Sequence, residues 1–326
     1  MSSNKNSVYV EVTRMLRDGT SLLSEQKAVK KFLHSAEKHY LSGRKATPSP
    51  AAYASVPHKY LPLLLSVPNM KKIIIMGASS GIGYAVARAF AEQGFRVGIA
   101  ARQTDTLKAL KARFPEQIEY ASIDVNDPAG VQELYSLAEA LGGMDIYFHV
   151  AGIGYDNPTL DPEREATIVN TDATGFARMI CAAYRWFSER GLKGHIAAVT
   201  SVAGTKGIGR MAAYSASKKF GQTYLVALEQ LAREEKSGIT FTDVRPGWIK
   251  TPLLADKTRF PLEMSIDYAV PRIIKAIVHK RRVAVIDWRW HIVTGLWRLI
   301  PDWLWTRMHI RLSDPDIPLP RARRLN

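Results

Sequence analysis

One cysteine is all that 326 residues contain, and Cys181 alone cannot form an intramolecular disulfide. A reducing cytoplasm is therefore the expected compartment. Its surroundings, Met179-Ile180-Cys181-Ala182-Ala183, predict a buried helix face on which the thiol acts as a small hydrophobe. Long apolar runs are missing as well. None approaches the roughly 20 residues needed to span a bilayer, and Leu61-Pro62-Leu63-Leu64-Leu65 is short and broken by proline. The amino terminus lacks the charged start and following apolar stretch of a signal peptide. Acidic residues are few, 30 against 45 Lys and Arg, which gives a net charge of +15. That excess is local. Residues 1–69 hold ten Lys/Arg against four Asp/Glu, and residues 271–326 hold twelve against four. The 201 residues between them hold 23 against 22. A nearly neutral body presents no broad nucleic-acid footprint, so no nucleic-acid partner is expected.

The chain is long enough to bury a full core, and its 46% hydrophobic content is ordinary for a globular protein. Residues 1–69 read as a separate extension. Asn6 to Lys45 contains helical stretches, and five prolines from Pro48 to Pro68 suit an extended linker. Met70 stands directly before Lys71-Lys72-Ile73-Ile74-Ile75-Met76, which makes it a candidate natural start. From there strand-like and helix-like segments alternate. The expected strands are Ile73–Met76, Arg96–Ala100, Glu119–Ile123, Asp145–Val150, His195–Thr200, Thr240–Val244 and Val283–Ile286, with helices such as Gly83–Glu92 and Pro128–Ala140 between them. This alternation predicts an α/β fold, a doubly wound parallel sheet with helices on both faces, across residues 70–286. Residues 287–326 form a carboxy-terminal appendage.

Chemistry enters with a glycine turn, Gly77-Ala78-Ser79-Ser80-Gly81-Ile82-Gly83, after the first strand and at the opening of a helix. Glycines let the backbone approach a pyrophosphate, and the helix amino terminus offers free N–H groups and a favourable dipole. A dinucleotide site that prefers NAD usually places an acidic residue at the end of the second strand. Ala101 and Arg102 stand there instead, and a guanidinium can grip a 2′-phosphate bidentately, so NADP(H) is the expected cofactor. Tyr214 and Lys218 lie four apart and share a helix face. A nearby ammonium favours the phenolate and brings a phenol towards a useful acid/base range. Ser201, thirteen residues earlier at a strand end, is placed to hold a substrate carbonyl against that phenol.

In this order the motifs resemble the short-chain dehydrogenase/reductase family in its compact, Rossmann-like form, over residues 71–286. The turn matches the family's TGxxxGIG, with Met76 where threonine is common. Asp124-Val125 matches the acidic pair at the adenine, and Arg245-Pro246-Gly247-Trp248-Ile249-Lys250-Thr251-Pro252 matches the loop at the nicotinamide end. The resemblance implies that Tyr214 donates a proton to a carbonyl as NADPH delivers hydride. It implies that Lys218 tunes Tyr214 and binds the nicotinamide ribose, that Ser201 orients the carbonyl, and that Thr251 meets the carboxamide or pyrophosphate. Gly77, Ser79, Ser80, Gly81, Ile82, Gly83, Ala151, Gly152, Pro246, Gly247 and Ile249 are the further cofactor contacts it implies, and it calls for no metal. Family members commonly form dimers or tetramers.

Two positions depart from the pattern. The family's Asn-Asn-Ala-Gly turn appears as His149-Val150-Ala151-Gly152, where His149 is expected to be a satisfied core histidine. The family's fourth catalytic residue, an asparagine, aligns with Asp172, which either keeps that asparagine's water or adds charge that alters the lysine. Asn170 is the less favoured stand-in. Three functions remain open: an NADPH-dependent reductase of an apolar ketone, a 3-oxoacyl or long-chain keto-lipid reductase, and a non-catalytic NADP-binding regulator.

Five of the seven tryptophans fall between Trp288 and Trp305. Val293, Leu296, Trp297, Ile300, Leu304 and Met308 recur at helical spacing. His291, Thr294, Arg298, Asp302, Thr306 and His309 make the opposing stripe, and Pro301 is expected to start a second helix. Tryptophan and arginine on an amphipathic helix suit a membrane interface. Packing of the same stripe on the protein's own sheet, or as a wall of the substrate pocket, is the alternative. Substrate specificity is expected in these helices and in Leu253–Met264.

Overall fold

The computed structural model describes residues 71–154, 156–250 and 260–308. The extension at 1–69, the candidate start at Met70, Thr251 and His309 lie outside the described residues. Seven strands form a single sheet: β1 (Lys72–Met76), β2 (Arg96–Ala101), β3 (Ile118–Ser122), β4 (Ile146–His149), β5 (His195–Val199), β6 (Thr240–Pro246) and β7 (Val283–Ile286). All pair in parallel, in the order β3-β2-β1-β4-β5-β6-β7. The helices are α1 (Gly81–Glu92), α2 (Asp105–Arg113), α3 (Gly130–Ala140), α4 (Pro162–Val169), α5 (Phe176–Ser188), α6 (Ala212–Glu234), α7 (Ile266–Val278), α8 (Trp288–Leu299) and α9 (Asp302–Trp305).

Helix coverage of both sheet faces explains why the strands are apolar runs rather than alternating ones. Ile73, Ile75, Val97 and Ile99 share one layer with Val86 and Phe90 of α1, Leu107 of α2 and Ile273 of α7. Ile74, Met76 and Ala100 face the other layer, with Leu134 of α3, Met179 and Phe187 of α5 and Leu225 of α6. Each fully buried large side chain contributes roughly 1.5–3 kcal/mol. The chain reverses its winding between β1 and β4, which are neighbours in register Met76↔His149. In such sheets the crevice outside the strands' carboxyl ends at this switch point is where ligands bind.

Cys181 corrects the sequence reading. It lies on α5 but is exposed, while Met179, Ile180, Ala182 and Ala183 are buried. A helix turns about 100° per residue, so apolar sequence neighbours do not carry the residue between them to the same side. The carboxy-terminal stripe is corrected in phase. Val293 and Trp297 pack against the core and Trp290 is buried in it, whereas Leu296, Leu304 and Met308 are exposed. Thr294, expected on the polar side, is buried and donates to the Trp290 carbonyl at 2.8 Å. The second helix, α9, does begin directly after Pro301.

Candidate active site

The turn after β1 is built around contacts that only glycine permits. Gly77 has φ +94°, and a Cβ there would stand 2.5 Å from the Ala151 nitrogen. At Gly83 a Cβ would meet the Gly77 carbonyl oxygen at 2.1 Å. The turn is tied to β2 by Gly77 and Ala78 N–H groups that both donate to the Ala100 carbonyl. Ser80 caps α1 in extended conformation without a side-chain cap bond, and Ser79, Gly81 and Ile82 are partly accessible beside it. A cradle this close to the backbone fits a dinucleotide pyrophosphate. At the end of β2, Ala101 is buried and Arg102 is exposed, its carbonyl accepting from the Ser122 hydroxyl at 3.1 Å. Asp124 receives the Asn126 N–H at 2.9 Å, and Val125 is buried under the same rim.

The second half of the site lies at the ends of β4 and β5 and on the first turns of α6. Tyr214 and Lys218 both belong to α6, with the Lys218 Nζ 5.4 Å from the centre of the Tyr214 ring. Gly154 lies against that ring, where a Cβ would come within 2.8 Å of it. Gly152 faces Lys218 and Asp172 together, at 3.0 Å and 3.2 Å from the position a Cβ would take. Ser201 follows β5, is buried, and accepts the Ala203 N–H at 3.1 Å while donating weakly to the Pro246 carbonyl at 3.4 Å. Its own carbonyl is held by Gln222 of α6 at 2.8 Å, which couples the serine to the helix of the tyrosine.

Asp172 is the departure that matters. It sits in a π-helical turn, Asn170–Gly175, between α4 and α5, and its Oδ2 lies 2.8 Å from Lys218 Nζ. The Ile153 N–H donates to its other oxygen at 2.7 Å. Wide turns of this kind are frequent at functional sites. Asn170, the alternative, is exposed at the start of the turn. Burial alone would push the lysine down, but the Asp172 carboxylate, with a smaller contribution from Tyr214, offsets it, and the Lys218 pKa is raised. Burial also holds the Asp172 carboxyl above its usual range, against the pull of Lys218. The lysine is thus a cation at neutral pH, with a counter-charge behind it. Breaking such a buried pair costs about 3–5 kcal/mol.

His149 is fully buried, with Nδ1 2.9 Å from the Tyr147 hydroxyl and its ring edge against Phe176. Burial, with help from Lys218, lowers its pKa to about 3, so it is neutral. Nδ1 is paired as expected of a core histidine, but Nε2 has no hydrogen-bond partner among the described residues. Sequence reasoning placed specificity in Leu253–Met264, which holds Phe260, but did not single out the apolar cluster beside Tyr214. Ile208, Met211 and Ala203 form an apolar cluster against Tyr214 and Trp248, and Trp248 stacks on Phe260 at 4.1 Å. The carboxy-terminal helices hold the loops that carry this wall. Trp290 donates to the Leu262 carbonyl at 3.2 Å, and its indole nitrogen would be 2.0 Å from a Cβ on Gly247. Trp305 donates to the Gly207 carbonyl at 2.7 Å, and Lys206 pairs with Asp302 at 2.5 Å. Beyond Gly247, Ile249 is buried and bridges to Met264. Among the described residues no group of His, Cys, Asp and Glu is arranged to hold a metal ion.

Comparison with known proteins matches the fold that carries these residues. A family model described as short chain dehydrogenase matches residues 71–261. An uncharacterized oxidoreductase of Mycobacterium tuberculosis is 34% identical over 250 residues, which are 73% of this chain and 97% of the relative. A short-chain type dehydrogenase/reductase from Mycobacterium marinum superposes with a TM-score of 0.60 at 26% identity, over 67% of this chain and 94% of that one. A variant of actinorhodin polyketide ketoreductase with NADPH matches with a TM-score of 0.52 at 29% identity, over 57% and 73% of the two chains.

Proposed function

Given that the chain belongs to the short-chain dehydrogenase/reductase family, we propose that it is an NADPH-dependent reductase of an apolar ketone, able to oxidise the matching secondary alcohol in reverse. The observation that carries this reading is the gathering of Tyr214 and the Lys218–Asp172 pair against Gly152 and Gly154, with Ser201 tied to the same helix through Gln222. The turn from Gly77 to Gly83, with Asp124, Val125, Ala151, Gly152 and the Pro246–Ile249 loop, would hold the cofactor. Bound NADPH supplies the hydride that the carbonyl carbon accepts.

The chain's own residues supply position and a proton. Ser201, fixed by Ala203 and Gln222, offers its hydroxyl to the carbonyl oxygen. Tyr214 gives its phenolic proton to the same oxygen, so the carbonyl becomes an alcohol and the tyrosine a phenolate. That phenolate is stabilised by the Lys218 ammonium beside its ring. Lys218 keeps its charge because Asp172 compensates it, and reprotonation from water closes the cycle. A retained ion pair argues against a degraded, merely regulatory site.

Two finer assignments rest on particular residues. Preference for NADPH is supported by the missing acid at Ala101 and by the exposed Arg102, whose guanidinium could meet a 2′-phosphate. An apolar substrate, including a 3-oxoacyl or keto-lipid chain, is supported by the Ile208, Met211, Trp248 and Phe260 wall. The test is oxidation of NADPH across a panel of carbonyl compounds that includes long-chain ketones. Turnover with at least one member, lost in Tyr214→Phe while NADPH still binds, is the expected result. A panel that leaves NADPH untouched, or a phenylalanine variant as active as the parent, refutes the assignment.

A further inference from the structure

Helix α8 is apolar on two sides, and the core uses only one. Trp290, Val293 and Trp297 face inwards, as does Thr294. At about 100° per residue, Trp288, Ile292, Leu296 and Leu299 fall within an outward arc of roughly 80°. Trp288 is 68% exposed, Ile292 52%, Leu296 58% and Leu299 79%. The face continues into α9 and beyond with Trp303, Leu304 and Met308, all exposed. Single exposed hydrophobes are normal, but a contiguous row of this kind marks an interaction site.

The borders of the row identify the occupant. Arg289 lies on one flank of the arc. His291 and Arg298 lie on the other, where they line a cavity of about 360 Å³ together with Arg245 and Arg282. Arg307 lies over the Trp303 ring at 5.6 Å to its centroid. Some of these cations are compensated: Arg289 by Asp287, Arg245 by Asp243 and Arg282 by Glu229. Even so, residues 271–308 hold eight Lys/Arg against two Asp/Glu. Tryptophans at both ends of an apolar row, with arginines along its edges, match the boundary between acyl chains and anionic headgroups.

We infer that the outer face of α8 and α9 docks on the surface of an anionic phospholipid bilayer, laying the apolar row into the interface and turning the arginine cavity towards lipid phosphates. The contact is peripheral, since no described helix is long and apolar enough to cross a membrane. The docked helices are the same ones that hold Gly207, Gly247 and Leu262 by way of Trp305 and Trp290. Docking would therefore set the substrate loops beside the acyl chains. The inference does not depend on which carbonyl is reduced.

The experiment is co-sedimentation of the full chain with vesicles of phosphatidylcholine alone, or of phosphatidylcholine mixed with phosphatidylglycerol, and light scattering of the protein without lipid. Leu296→Glu and Arg298→Glu test the row and its border, and both positions lie outside the proposed catalytic set. Binding to the anionic vesicles only, weakened by salt and at least ten-fold weaker in both variants, is expected, with the thermal midpoint unchanged. Absence of binding to anionic vesicles overturns the inference, as does binding that survives both substitutions. A lipid-free dimer of the parent that Leu296→Glu splits into monomers overturns it too, because a second copy then covers the row. NADPH oxidation in lipid-free buffer, unchanged in both variants, separates failure of docking from failure of catalysis.

Discussion

Asp172→Asn isolates the charge behind Lys218 with little change in shape. Asparagine fills the same volume, and its side-chain oxygen can still accept the Ile153 N–H that now reaches Asp172 at 2.7 Å. What disappears is one negative charge 2.8 Å from Lys218 Nζ. At an effective dielectric of about 20, two unit charges at that separation attract by about 6 kcal/mol, which is a ceiling. Opposite charges this close shift pKa values by about 1–3 units in practice, or about 1.4–4 kcal/mol. Without Asp172, burial of Lys218 is no longer offset, so the lysine titrates lower. The mechanism needs the Lys218 ammonium beside the Tyr214 ring. A lysine that loses its charge earlier as pH rises should move the alkaline limb of kcat/KM against pH lower in the variant, by about 1–3 units. The assay is NADPH oxidation with a saturating series of the best carbonyl substrate between pH 5 and pH 10. Thermal unfolding at pH 7 checks that the fold persists. A limb that stays within about 0.3 units of the parent refutes the idea that Asp172 tunes the lysine, and so does one that moves to higher pH. Asp172→Ala, which also strands the Ile153 N–H, should cost about 3–5 kcal/mol of stability.

Other perturbations follow from the same contacts. Gly247→Ala places a methyl group 2.0 Å from the Trp290 indole nitrogen. Displacement of either the loop or the indole should then lower stability by about 1–3 kcal/mol in a denaturant melt, with a rise in KM for NADPH. Arg102→Ala should raise KM for NADPH ten-fold or more and leave that for NADH within two-fold, because loss of a bidentate phosphate contact removes about 1.5–3 kcal/mol. Equal effects on both cofactors would count against a 2′-phosphate contact. His149 is neutral in the fold, with its pKa lowered to about 3 against an ordinary 6.5. Its contribution to stability is complete above pH 6.5 and is lost as the pH falls towards 3. At pH 5 the loss is about 2 kcal/mol by linkage. Denaturant midpoints at pH 7.5 and pH 5, with His149→Asn restoring part of the difference, measure it.

What could be read from the chain divides by the range of the interaction. Runs such as Ile73-Ile74-Ile75-Met76 announce strands covered on both faces, because the constraint that makes them apolar acts on the residues themselves. Every expected strand lies within a residue or two of an observed one. The glycine turn and the Tyr214/Lys218 spacing are equally local, since one helix and one turn position them. The identity of the Lys218 counter-ion is different. Asp172 lies 46 positions earlier and reaches the lysine only because α4, the π-helical turn and α6 pack together. Resemblance pointed to the position, and only the fold shows that the aspartate forms an ion pair there.

The tail marks the opposite limit. An apolar row at helical spacing states that a helix has a buried side, but it assumes that the helix has only one. In α8 the residues at 290, 293 and 297 and those at 288, 292, 296 and 299 form two rows, and no periodicity distinguishes the one that meets the core. The distinction lies in partners far along the chain: Gly247, where the missing Cβ makes room for Trp290, and the Gly207 carbonyl, which takes the Trp305 indole. Once these contacts fix the inward row, the outward one is left exposed among the described residues, and its arginine borders acquire a meaning that composition alone did not give them. The alternatives of core packing and membrane contact are therefore not exclusive. The inward row holds the Leu262 and Gly207 loops beside the proposed site, and on the inference above the outward row would face the lipid surface that supplies an apolar ketone.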